Sequence, residues 1–226
     1  IKDCVLTIPS HFTQHERMAL YVAADIADLR VLSLIEENTA AALHYGIDRK
    51  ADKSETVLFY NLGHSDTEVS IVKYSSYMQK EAGKNKTVGQ FEVVGKAWDT
   101  EVGGFHFDMK LADLLADRFN EAWVKKKKDK AGDIRDHVRP MTRLKVEARK
   151  IKEVLSANLE IPFRAEQLHD DVDINIKVSR ADFEAMCDEL YERMTGSIDR
   201  ALLSANMTLA DITTVELLGG TVRIPK

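Results

Sequence analysis

Apolar residues along this chain switch between two periods. Cys4-Val5-Leu6-Thr7-Ile8 is a short apolar run closed by Pro9, the pattern of a strand. Thr13-Gln14-His15-Glu16 has the form of a capping box, with Thr13 as N-cap and Glu16 at the third helical position. Met18, Val22, Ile26 and Leu29 follow at helical spacing, and residues 31–35 return to a strand. Residues 39–45 read as a short helix stopped by Gly46. The stretch 56–72 holds two apolar runs around a polar tip, Gly63-His64-Ser65-Asp66, which predicts two strands joined by a tight turn. The polar span 79–89 reads as a long loop, and residues 91–94 as a further strand.

Gly103-Gly104 opens a helix with Phe107, Leu111, Leu114 or Leu115, and Phe119 on one face. Four lysines, 125–128, read as a solvated loop or helix end. Pro140 suits the first turn of a long helix reaching about Ser156. Residues 173–178 alternate cleanly and predict a half-exposed strand. Ser179 with Asp182 caps a helix whose buried stripe is Phe183, Cys187, Leu190, Met194 and Ile198. Residues 214–218 form a last, buried strand ending in Gly219-Gly220. Strands alternating with helices predict an α/β chain, interrupted by a mostly helical part from about 109 to 195.

Composition narrows this little. At 226 residues and 25.5 kDa the chain can bury a real core. With 44% hydrophobic and 31% charged residues it has a globular profile. Net charge is −5, with no basic face that predicts nucleic acid as a partner. No apolar run predicts a membrane span. The start at Ile1 and the stop after Pro225-Lys226 read as an excised fragment of a longer protein. Cys4 and Cys187 make neither a disulfide framework nor a metal site and read as core thiols. Sequons at Asn85 and Asn206 permit glycosylation in a secretory compartment.

Candidate chemistry sits where strands end in glycine: near Gly63, at Gly103-Gly104 and at Gly219-Gly220. In α/β proteins such turns are where ligands bind. Backbone N–H groups at a turn can hold phosphate oxygens, provided small residues allow the approach. Three such turns predict a nucleotide cleft, although the chain lacks both a Walker A run and a G-x-G-x-x-G run. The seven histidines read as scattered and not as a metal set, and only His64, in the tip, is a candidate phosphate contact.

Four segments occur in a telling order: residues 4–9, Asn38-Thr39-Ala40-Ala41-Ala42-Leu43-His44-Tyr45-Gly46, Val102-Gly103-Gly104 with Phe107-Asp108, and residues 217–226. Together they resemble the ATPase domain of the heat-shock protein 70 family across essentially the whole chain. Leu155-Ser156-Ala157-Asn158 and residues 169–173 are similar to the large, divergent branch of that family. Residues 74–84 and Trp98-Asp99 are most similar to its endoplasmic-reticulum members, whereas Gly63-His64-Ser65 is similar to the cytosolic large relatives. The resemblance implies an actin-like (ribonuclease H-like) ATPase fold. Residues 1–52 would be the C-terminal part of the first lobe, without its phosphate loop and catalytic lysine. Residues 53–108 and 195–226 would form the base of the second lobe, and 109–194 an inserted, mostly helical upper subdomain. It further implies ATP or ADP as ligand, and a lumenal location with a cytoplasmic one as alternative. The implied partners are a standard seventy-kilodalton chaperone and unfolded clients, the latter held by regions outside this chain.

Carried over residue by residue, the resemblance implies an unevenly kept site. Glu37 matches an acidic residue of the hydrolysis centre, and Asn38 replaces a proline tied to switching between lobes. Asn61 stands for an aspartate near the magnesium waters, so Mg2+ would be weakly held and no side chain is assigned as a direct metal ligand. His64, Ser65 and Asp66 replace glycine, glycine and threonine around the terminal phosphates. Gly103 and Gly104 match ribose and phosphate glycines. Lys152 and Ser156 match nucleoside contacts, and Arg149 stands at a glutamate near the adenosine. Gly219, Gly220 and Arg223 match the adenosine clasp. An ionised Asp66 about 4 Å from a phosphate charge would oppose it by up to about 4 kcal/mol at an intermediate dielectric. Phosphoryl transfer depends on positioning and charge neutralisation. The expectation is therefore that ATP binding survives better than hydrolysis, in a protein acting as holdase and nucleotide exchange factor. A fully active ATP-hydrolysing chaperone is the alternative.

Overall fold

A computed structural model of the chain describes residues 2–47, 49, 54–81, 84–128 and 132–225. The proposed boundary between residues 52 and 53 lies outside the described residues, as do the two ends, Ile1 and Lys226. The chain divides into two compact units: residues 1–100 with 195–219, and residues 101–194 with 220–226.

In the first unit, β1 (Asp3–Ile8) and β2 (Arg30–Glu36) form a two-stranded parallel sheet. Between them runs α1 (Gln14–Ile26), whose start is fixed by the Glu16 carboxylate accepting from the Thr13 N–H at 2.6 Å and the Thr13 hydroxyl at 2.8 Å. The apolar stripe read from its spacing faces outward instead of into a core. Val22 and Ile26 are exposed, and only Ala24 of this helix is buried. Helix α2 (Glu37–Ile47) starts two residues before the predicted helix and runs through Gly46, so that glycine does not end it.

A four-stranded sheet follows, made of β3 (Glu55–Leu62), β4 (Thr67–Glu81), β5 (Lys84–Asp99) and β8 (Thr214–Leu218), in the order β5-β4-β3-β8. The hairpin predicted at 56–72 is the β3–β4 pair, in register from Glu55↔Tyr74 to Leu62↔Thr67. The predicted loop at 79–89 is corrected for its described residues: β4 runs to Glu81 and β5 starts at Lys84, paired as an antiparallel ribbon, while residues 82–83 lie outside the described residues. A ribbon whose side chains are mostly exposed on both faces, Met78 and Gln79 among them, has the composition of a loop. Strand β8 pairs parallel with β3 at the sheet edge. It is not fully buried as its apolar run predicts, because Val215 and Leu217 are exposed on one face. Ala42, Val57, Phe59 and Val72 close the core between α2 and this sheet. Helix α7 (Gly196–Ala205) packs on β5 at Gly95, where a Cβ would lie 2.6 Å from the Ala201 carbonyl oxygen and 2.7 Å from the Ala205 Cβ.

The second unit has its own core. Helix α3 (Gly104–Lys127) buries Phe107, Leu111, Leu115, Phe119 and Trp123. Helix α4 (Val138–Leu155) buries Met141, Leu144, Ala148, Ile151 and Leu155. The two helices pack on each other, and α3's three terminal lysines sit in its last turn, where cations favour the helix dipole. An antiparallel pair, β6 (Glu160–His169) and β7 (Val172–Ser179), adds Phe163, Ala165, Ile174 and Val178 to the core. Strand β6 is absent from the sequence reading, since Pro162 and the interspersed charges hide its alternation. The single helix predicted after Ser179 is three: α5 (Arg180–Met186), α6 (Asp188–Met194) and α7. Ser179 does cap the first, accepting from the Asp182 N–H at 3.0 Å. The apolar spacing persists across the breaks, which is why periodicity alone merges them.

Candidate functional site: a strand-end turn and a helix start

In the first unit the candidate residues gather where β3 and β8 end side by side. The parallel register pairs Asn61 with Leu218, so Gly219 follows at the same level. Gly219 has φ +85°, a left-handed conformation suited to glycine. A Cβ there would collide with the Leu62 carbonyl and stand 2.9 Å from Asn61 Oδ1. The β3–β4 turn is closed by the Gly63 N–H donating to the Asp66 carbonyl at 2.9 Å. His64 and Ser65 are exposed at its tip. Asn61 Nδ2 donates to Glu37 Oε2 at 3.1 Å, which joins the β3 end to the first residue of α2. The next residue, Asn38, is 1% exposed and donates to Ser70 Oγ at 3.3 Å, tying α2 to β4.

Asp66 lies against the loop that follows β1. His11 Nδ1 stands 3.5 Å from Asp66 Oδ2 and 3.4 Å from Glu68 Oε1. Glu68, the second residue of β4, is 1% exposed, and its Oε1 accepts from the Ser10 N–H at 2.7 Å. Burial raises the pKa of both carboxyls above the ordinary range. The His11 imidazole opposes that rise at Asp66, and the Ser10 N–H opposes it at Glu68. Neither His11 nor Glu68 is among the sequence-derived site residues. The strand period offers the one sequence signal for Glu68: it alternates with Val69 and Ile71 and shares a face with Ser70. Nothing in the linear order marks His11, which lies more than fifty residues from its neighbours.

In the second unit the candidates gather at the start of α3. Gly103 is its extended N-cap and Gly104 its first residue, and both are buried. Lys152 Nζ sits 2.6 Å from Asp108 Oδ1 and donates to the Gly104 carbonyl at 3.2 Å. The side chains of this ion pair are 14% and 9% exposed. Arg149 is on the exposed face of α4, 3.9 Å from Glu153. Ser156 follows that helix, its hydroxyl donating to the Glu153 carbonyl at 2.6 Å. Gly220 and Arg223 bound a short 3-10 turn and are exposed. Lys152 and Gly104 are thus in contact, while Arg149 and Ser156 engage their own helix.

A family model described as Hsp70 protein matches residues 1–226. The chain belongs to the Hsp70 family. The ATPase domain of that family has an actin-like fold and binds nucleotide, usually with Mg2+. Among its relatives, "Hypoxia up-regulated protein 1" of Danio rerio is 43% identical over 229 residues, covering 100% of this chain and 23% of the relative. The Homo sapiens protein of the same name is 42% identical, covering 100% and 22%. "Heat shock 70 kDa protein 17" of Arabidopsis thaliana is 40% identical over 227 residues, covering 100% and 26%. These relatives put the chain in the large, divergent Hsp70 branch. It spans about a quarter of the length of these curated relatives. Among the described residues no helix is long and apolar enough to cross a membrane.

Proposed function

We propose that this chain is the ATP-binding part of a large heat-shock-type chaperone in which nucleotide binding outlasts hydrolysis. The observation that carries the reading is the Asn61–Glu37 contact at 3.1 Å. An uncharged amide donates to the acid that matches the hydrolysis centre, where the family's aspartate would add a negative charge for Mg2+. Lowered attraction for the metal slows a reaction that depends on neutralising phosphate charge. Asp66 and Glu68 work in the same direction, since carboxyls raised by burial offer phosphate no positive partner.

By the family resemblance, Gly103, Gly104, Lys152 and Ser156 would contact the nucleoside and ribose, and Gly219, Gly220 and Arg223 the adenosine. Residues 1–52 would belong to a first lobe, an assignment supported by the uncovered apolar stripe of α1. The whole protein would hold unfolded clients and act as exchange factor for a standard chaperone of its compartment, the endoplasmic-reticulum lumen. The names of the hypoxia up-regulated relatives and the sequons at Asn85 and Asn206 support this placement.

Calorimetry with ATP and ADP on purified protein, paired with a single-turnover assay, tests the reading. Binding of both nucleotides with turnover far below that of an orthodox family member is expected. Turnover at the orthodox rate, abolished by Asn61→Ala, would establish the working ATPase chaperone instead.

A further inference from the structure

Three polar side chains converge at the β3–β4 turn, beside the proposed phosphate end of the nucleotide site. His11 lies in the loop between β1 and α1, Asp66 closes the β3–β4 turn, and Glu68 is the second residue of β4. Asp66 and Glu68 flank the first residue of β4, and both carboxylates face His11. One donor atom from each residue fits within a sphere where all three lie within 4.8 Å of one another. From His11 Nδ1 the distances are 3.4 Å to Glu68 Oε1 and 3.5 Å to Asp66 Oδ2.

These contacts are too long for hydrogen bonds. His11 Nδ1 has no hydrogen-bond partner and is enclosed, and so is Glu68 Oε2. A carboxylate buried to 1% exposure with a free oxygen is costly unless a cation meets it. The two separations from His11 fit a shared metal. Zinc holds nitrogen and oxygen ligands at about 2.0–2.2 Å in a tetrahedron, whose edges are then about 3.4 Å. Magnesium at about 2.0–2.1 Å in an octahedron sets neighbouring ligands only about 2.9 Å apart. An imidazole nitrogen among the donors also favours zinc-like ions over magnesium or calcium.

We propose that His11, Asp66 and Glu68 form a tetrahedral site for a zinc-like divalent cation, with a water at the fourth position. The surroundings hold the ligands in place. The Ser10 N–H fixes Glu68 Oε1 at 2.7 Å. The His11 ring packs against Trp98, with centroids 6.2 Å apart, and edge-on against Phe12 at 5.8 Å. The bound ion would staple the β1–α1 loop to the β3–β4 turn, next to the hydrogen bond from Ser10 to Glu68 of β4. The proposal does not depend on nucleotide binding and is tested in its absence.

Protein stripped with a chelator is titrated with Zn2+, and separately with Co2+ as a spectroscopic probe. One equivalent of Zn2+ is expected per chain. His11→Phe, which keeps the ring packing, and Glu68→Gln should each weaken it at least tenfold. The Co2+ form should show the strong visible bands of a tetrahedral ion without a sulfur charge-transfer band, which separates this site from Cys4 and Cys187. Absence of stoichiometric Zn2+, the weak spectrum of octahedral Co2+, or equal competition by Mg2+ overturns the proposal. So does unchanged affinity in both variants. The spectrum is read on the unmodified protein, so the test stands even where a variant folds poorly. A negative result leaves the nucleotide reading intact, because ATP binding is measured separately.

Discussion

The two places where candidate residues gather treat charge in opposite ways. At the start of α3, each buried charge has its counter-charge within the same unit: Lys152 meets Asp108 at 2.6 Å and caps its remaining capacity on the Gly104 carbonyl. At the β3–β4 turn, Glu37, Asp66 and Glu68 face one amide and one imidazole. The first arrangement is complete as folded. The second is short of positive charge and gains from whatever cation arrives. An acid-rich cluster is thus well placed to select a metal and badly placed to hold a terminal phosphate without one.

Breaking the completed pair should cost most. Lys152→Ala leaves Asp108 buried and uncompensated, and a loss of about 3–5 kcal/mol is expected in denaturant unfolding of the second unit. Gly219→Ala comes next. It places a Cβ against the Leu62 carbonyl in a left-handed conformation, so a loss of about 1–3 kcal/mol is expected, read as a lower midpoint. Asn61→Asp sharpens the contrast by setting a second carboxylate beside Glu37. Stability should fall by about 1–3 kcal/mol while Mg2+-dependent ATP turnover rises, measured by melting and by single-turnover assay.

The effect of Asp66→Asn depends on pH. Burial raises the folded-state pKa of Asp66, so its contribution to stability is greatest in acid and is lost as pH climbs through the raised value. The asparagine variant does not titrate. In metal-free protein its melting temperature should exceed that of the parent by a margin growing from about pH 4 toward neutrality. The margin should level off once the pH passes the raised value. Arg149→Ala should do least. Its exposed 3.9 Å pair with Glu153 predicts a change below about 0.5 kcal/mol, and a fall in ATP affinity would then report a nucleotide contact alone.

Much of the fold was legible because its signals are local. The capping box at Thr13 and Glu16, the cap at Ser179 and the apolar face of α3 each depend on residues a turn or two apart. The β3–β4 hairpin is legible for the same reason. Where local signals run out the reading fails. The exposed ribbon of β4 and β5 has the composition of a loop, β6 is disguised by Pro162, and one helical period runs through α5, α6 and α7. The family itself was legible, because four segments, residues 4–9, 38–46, 102–108 and 217–226, lie in its order along the chain.

The chain's local chemistry determined the α/β alternation, the helix starts and which turns carry glycine, since propensity, capping and steric freedom act over a few residues. Tertiary structure alone decided which charges meet. It paired Lys152 with Asp108 across 44 residues, and it brought His11 to Asp66 and Glu68 across 55 and 57. Electrostatic energy falls with distance in space, and the order of residues does not fix that distance until the strands and helices pack.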